Sequence, residues 1–182
     1  MALRPIQFSG LFHAIIDSFA VSIMGVGALH TKQYQKAMEN YKFVPLGSRA
    51  AGEDSNIDLW FYLNKLNTDD FRRTRGMETP FSRSVIQTIC QSFCISAFET
   101  LVASPHHSIV AAHPMVQFLR HLRNASAHGN RFHFAAGQPD KPAHWNAKVI
   151  EPGLQGQECF FAFVGPGDLP PLLEDISKLL PT

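Results

Sequence analysis

This chain of 182 residues has almost no net charge: 16 lysines and arginines face 15 aspartates and glutamates, for a formal charge of +1. That balance argues against a general polyanion binder, which spreads a basic excess over a whole face. Any nucleic-acid contact is expected to be local. Cysteine is scarce, and Cys90, Cys94 and Cys159 form an odd set without the dense spacing of a secreted disulfide scaffold, so a reducing cytoplasm is the expected setting. Cys90 and Cys94 stand one helical turn apart and read as small core residues. No glycine-rich loop of the Walker type, G-x-S-x-G elbow, HExxH pair or CxxC pair occurs, and the corresponding enzyme classes lose support. The apolar stretch from Phe8 to Leu29 is interrupted by His13, Asp17, Ser18 and Ser22 and no Ala-x-Ala site follows it, so it reads as a buried helix rather than a signal peptide or membrane span.

Acidic residues are also missing from one long window, between Glu99 and Asp140. Six of the nine histidines lie inside it, from His106 to His133, together with Arg120, Arg123 and Arg131. A near-neutral protein has gathered its cationic and titratable groups in one place.

The spacing within that window is that of an amphipathic helix. With about 100° of rotation per residue, Met115, Phe118, Leu119, Leu122 and Ser126 share one face, while Arg120, His121, Arg123, Asn124 and His128 spread around the other. Pro114 fits the first turn of such a helix and Gly129 its left-handed end. Asn124 and His128, four apart, are neighbours on the cationic front, whereas Arg123 and His128 are splayed by about 140°. Two such helices meeting about a two-fold axis can bring both groups to one substrate, which favours a composite site in a homodimer.

Arg123, Asn124, three further residues and His128 match the R-N-x-x-x-H form of the Arg-x4-6-His motif, and the chain here resembles the HEPN superfamily. The motif's position at the end of a late helix, after another long apolar helix and before a short two-stranded segment and a final helix, is similar to several bacterial HEPN families. Gly129-Asn130, the strand-like Trp145 to Ile150, and Gly167-Asp168-Leu169 leading into Leu172 to Ile176 resemble the defence-associated branch. The first 75 or so residues match no family by this reading.

The resemblance implies an all-α helical bundle and a metal-independent endoribonuclease of toxin-antitoxin or antiphage systems. It implies His128 as the acid-base residue, Arg123 as the phosphate stabiliser, a second copy of each from a dimer partner, and an antitoxin or regulatory partner. The other class it allows is a catalytically silent HEPN module that binds a nucleotide, RNA or protein. The side-chain chemistry suits cleavage: imidazole, with an ordinary pKa of about 6.5, exchanges protons near neutrality, and guanidinium presents a planar fork to phosphate oxygens. Asn124 can hold either the His128 ring or the phosphate. Arg120 and His121 are candidates to assist, and Arg131 and His133 are either RNA contacts or ordinary surface residues. Glu99, near the end of the preceding helix, is expected to pair with an arginine of the motif helix and orient it, the alternative being that it faces water. His106, His107 and His113 lack metal-ligand spacing and read as a loop cluster, so neither metal nor cofactor is expected.

Length and a hydrophobic content of 45% fit one core, giving a single domain over residues 1–182. Apolar spacing predicts helices over about Ile6–Met24, Lys32–Tyr41 and Ile57–Asn67, then from Thr79-Pro80 to about Val102, the motif helix from Pro114, and a last helix capped by Asp168. Thr68 to Met77 is charged and expected to be exposed. Trp145–Ile150 and Glu158–Val164 are expected to pair as a hairpin.

Overall fold

In the N-terminal helix, buried Phe19 lays its ring against Phe93 of a later helix, with centroids 4.6 Å apart. The computed structural model describes residues 10–29, 45–47, 56–58 and 80–181. The fold is mostly helical, with a small two-stranded antiparallel sheet near the C-terminus. Contacts divide the chain into two compact units, Met1–Ser22 with Ile86–Thr182, and Ile23–Val85.

A short 3-10 turn at Gly10–Phe12 leads into α1 (His13–Leu29), which runs from the first unit into the second at Ile23 and continues through Gly25 and Gly27 rather than ending before them. The expected burial is confined to one edge of this segment, at Phe12 and Phe19, while Val21 and Met24 are exposed. In the second unit, β1 (Pro45–Gly47) pairs antiparallel with β2 (Asn56–Asp58), Leu46 facing Ile57. The helix predicted from Ile57 therefore begins on a strand. A short apolar run with a β-branched residue fits either period, and here cross-strand pairing decides. The rest of that helix, the Lys32–Tyr41 helix and the charged Thr68–Met77 stretch lie outside the described residues.

α2 (Pro80–Ala103) begins at the predicted proline and ends at Ser104, whose hydroxyl donates to Leu101 O at 2.7 Å. Cys90, Phe93, Cys94, Ala97 and Leu101 form its buried stripe. Val102, where the helix is expected to end, is 40% exposed, one residue past that stripe. By length and composition Arg83–Ala103 is apolar enough to cross a membrane, a property it shares with core helices of soluble proteins.

After the short α3 (His107–Val110) comes α4 (Pro114–Ala127), whose first turn is capped by His113: its Nδ1 accepts from Met115 N at 3.3 Å. His107 and His113 thus serve a short helix and a cap, not a loose loop. Phe118, Leu119, Leu122 and Ala125 are fully buried. Each buried leucine contributes about 2 kcal/mol by removal from water.

The chain after α4 is built on aromatic contacts. Phe118 lies 6.3 Å from Trp145 and 5.9 Å from Phe163, and Phe163 meets Phe132 edge-on at 5.2 Å. The hairpin is tighter than predicted: β3 (His144–Trp145) pairs with β4 (Lys148–Val149), turning at Asn146 in the left-handed region, φ 50°. Glu158 pairs instead with Arg131, by an antiparallel bridge extended by Phe132 N to Gln157 O and Cys159 N to Asn130 O. The predicted partner strand has gone to the segment leaving α4, because Asn130 offers Phe160 both a donor and an acceptor. α5 (Leu169–Ser177) buries Leu169, Leu172, Leu173 and Ile176, and its Asp175 accepts from the Trp145 indole at 3.0 Å. Asp168 does not cap it by a side-chain hydrogen bond. Its carboxylate accepts from Gly165 N at 2.9 Å, closing the preceding 3-10 turn.

Candidate functional site

The end of α4 is fixed by a left-handed stop. His128 occupies the cap position, its backbone N–H reaching Asn124 O and Ala125 O; Gly129 then takes φ +66° and Asn130 φ +67°. Asn130 N returns to Ala125 O at 2.9 Å, satisfying a carbonyl at the helix end. Gln91 of α2 covers the next one, its amide donating to Ser126 O at 3.1 Å. These bonds hold the segment carrying His128 without engaging its side chain.

Asn130 is the residue that sequence reasoning undervalued. It is 3% exposed, and its side chain accepts from Phe160 N at 2.7 Å while donating to Phe160 O at 3.3 Å and Glu158 Oε1 at 3.2 Å. The signal was present in the Gly-Asn pair closing a helix, since asparagine tolerates a positive φ better than most residues.

The structure brings several predicted residues together. Arg123 donates from Nε and Nη2 to one oxygen of Glu99, at 3.0 and 2.6 Å, so the expected pairing of Glu99 is present. Arg123 Nη1 lies 3.4 Å from Asn124 Oδ1. His128 and His133 are exposed and stack on each other, with ring centroids 4.3 Å apart and planes 33° from parallel. Among the described residues no hydrogen bond or ion pair joins Arg123 to His128, consistent with their splay around the helix.

Others are placed differently. His121, expected on the cationic front, is 1% exposed, and its ring meets Phe134 edge-on at 5.4 Å. It stands about 60° from Phe118 around the helix, at the border of the apolar arc, and the following chain closes over it. Neither ring nitrogen has a hydrogen-bond partner. Burial lowers its pKa from the ordinary histidine value, Arg120 lowers it further and Asp140 opposes both. Arg120 is half-buried and donates to Gln117 Oε1 at 3.1 Å. Arg131 spends one donor on Gly156 O at 2.8 Å, on the ladder with Glu158.

The three cysteines are buried and unbridged. Burial pushes the Cys90 thiol up to about 12 and also raises Cys94 and Cys159, which disfavours the nucleophilic thiolate in each. Among the described residues no group of three or more His, Cys, Asp or Glu side chains is arranged to hold a metal ion. The arrangement at the end of α4 offers an oriented guanidinium, an amide and two imidazoles at the surface, a set suited to binding phosphate and moving protons. Comparison of the chain with models of known families, with curated proteins and with solved structures finds no match.

Proposed function

We propose that this protein is a metal-independent endoribonuclease of HEPN type, cutting single-stranded or loop RNA. The observation that carries the proposal is that the residues of the R-N-x-x-x-H motif supply Arg123 and Asn124, clustered with Glu99, and an exposed His128 on the last turns of one helix. In this chemistry the ribose 2′-hydroxyl attacks the adjacent phosphorus and the bond to the 5′-oxygen breaks. One base takes the 2′ proton, one acid protonates the leaving oxygen, and a cation offsets charge on the phosphate. The products are a 2′,3′-cyclic phosphate and a 5′-hydroxyl. His128 is the acid-base residue, Arg123 the phosphate stabiliser, and Asn124 an adjacent amide that positions one or the other.

The splay of Arg123 and His128 supports a homodimer in which each chain completes the other's site. Growth arrest or antiphage defence in the cytoplasm, under control of an antitoxin or regulatory partner, is the corresponding cellular role. A second reading, a catalytically silent module that binds RNA, nucleotide or protein, draws on the same ion pair, because Glu99 offsets part of the charge Arg123 brings to a phosphate. Incubating purified protein with RNA and analysing the new ends separates the two. Cyclic phosphate and 5′-hydroxyl ends support the enzyme, and binding without cleavage supports the module.

A further inference from the structure

Beside α3, α4 and the C-terminal part of α2 lies a cavity of about 200 Å³, lined by Arg120, Lys141, His107 and Gln117 together with the apolar Phe98 and Val116. None of its cationic residues has a carboxylate partner among the described residues. Asp140, next to Lys141 in sequence, forms no ion pair with Lys141 or Arg120 among the described residues. The cavity wall is ordered by Gln117, 5% exposed, whose amide donates to Ala111 O at 2.6 Å and whose carbonyl accepts from Arg120 Nη1 at 3.1 Å. Arg120 is thereby held in place with the rest of its fork unengaged by the described residues.

Two permanent cations around one cavity repel each other, and the species that relieves the repulsion is an anion. A planar guanidinium with a mobile ammonium is the pairing that suits phosphate oxygens. At about 200 Å³ the cavity is below the roughly 300 Å³ at which sites for drug-sized ligands begin. It fits a phosphate group better than a whole nucleotide.

Its position on α4 says which phosphate. Arg120 precedes His128 by eight residues, a rise of about 12 Å with a net rotation of about 80°. The two residues are on one side of the helix and too far apart to serve the same phosphate. We propose that this cavity binds a backbone phosphate of the RNA strand, at a different nucleotide from the one handled at His128. The cation cluster stands by itself, whereas the link to a strand passing His128 rests on the ribonuclease reading.

The test uses the intact protein and 2′-O-methyl oligonucleotides, which bind but lack the attacking hydroxyl. Fluorescence anisotropy compares a dinucleotide with an octanucleotide, for wild type, Arg120→Gln and Lys141→Glu. Lys141 is exposed, so its substitution leaves the fold intact. Wild type is expected to bind the octanucleotide roughly tenfold more tightly than either variant does, with dinucleotide affinity unchanged and inorganic pyrophosphate competing more strongly in wild type than in either variant. Equal octanucleotide affinity in all three proteins overturns the proposal. So does pyrophosphate binding that the variants lose while octanucleotide affinity stays the same, which assigns the cavity to free phosphate. Loss of the length advantage in a protein that never cleaves RNA supports the cavity and removes the ribonuclease reading. Cleavage of a long RNA with unchanged KM in Lys141→Glu does the reverse.

Discussion

Arg123 directs two of its guanidinium nitrogens, Nε and Nη2, at a single oxygen of Glu99, 3.0 and 2.6 Å away. The side chains are 36% and 51% exposed, so solvent screening limits the pair to about 1 kcal/mol of stability or less. Its effect is geometric: one carboxylate removes most of the rotational freedom of a long side chain and leaves Nη1 toward Asn124.

Glu99→Ala should therefore barely change stability, with Tm moving by no more than about 4 °C, while RNA cleavage falls about tenfold. Calorimetry and initial rates on one RNA check both halves. Faster cleavage by the variant would show that Glu99 restrains Arg123 rather than positioning it.

His121 gives the fold a pH dependence of defined sign. Its folded pKa is lowered, chiefly by burial, so between that value and the unfolded value of about 6.5 the unfolded chain holds more protons. Its contribution to stability is full above about pH 6.5 and is lost as pH falls toward the folded pKa. His121→Leu removes two unpartnered buried nitrogens and should raise stability at pH 7 by about 1 kcal/mol. Urea unfolding at pH 7 and pH 5 should show a smaller loss on acidification in the variant, and equal losses would contradict the assignment.

Asn130 joins a left-handed backbone to three side-chain hydrogen bonds. Asn130→Ala should cost about 2 to 4 kcal/mol, since it leaves the Phe160 amide without its acceptor and replaces a residue that tolerates positive φ by one that does so less readily. Asn130→Gly keeps the backbone conformation and should cost about 1 kcal/mol less. Denaturant midpoints of the two variants, measured together, check the order.

A composite site predicts complementation. Arg123→Ala and His128→Ala chains, each inactive alone, should recover part of the cleavage activity when mixed and allowed to exchange, because the heterodimer retains one intact Arg and one intact His across the interface. Light scattering at the assay concentration supplies the second half of the check. A monomer that cleaves RNA contradicts the shared site.

The helical class, the start of α2 at Pro80, the start of α4 at Pro114 and its stop at Gly129 were legible in the sequence, because proline and glycine act locally at helix ends. The Glu99–Arg123 pairing was legible too, as the meeting of a lone acid with an acid-free cationic window. His121 was misplaced because it sits at the border of the apolar arc, where a distant residue, Phe134, decides what is covered. The second hairpin strand was misplaced for a similar reason. Glu158 and Phe160 read as strand by composition, but their partner is set by the Asn130 side chain, which periodicity does not reveal. The stacking of His133 on His128 across a left-handed turn is likewise a tertiary fact.

The most direct measurement is cleavage of a defined single-stranded RNA by wild type and by His128→Ala, in EDTA, with end-group analysis of the fragments. His128 is exposed and its side chain holds no core contact, so the variant should keep the wild-type Tm. The account predicts wild-type products with 2′,3′-cyclic phosphate and 5′-hydroxyl ends, and a loss of about a hundredfold or more in the variant. Equal cleavage by both proteins, or activity that returns only on adding a divalent ion, would contradict it.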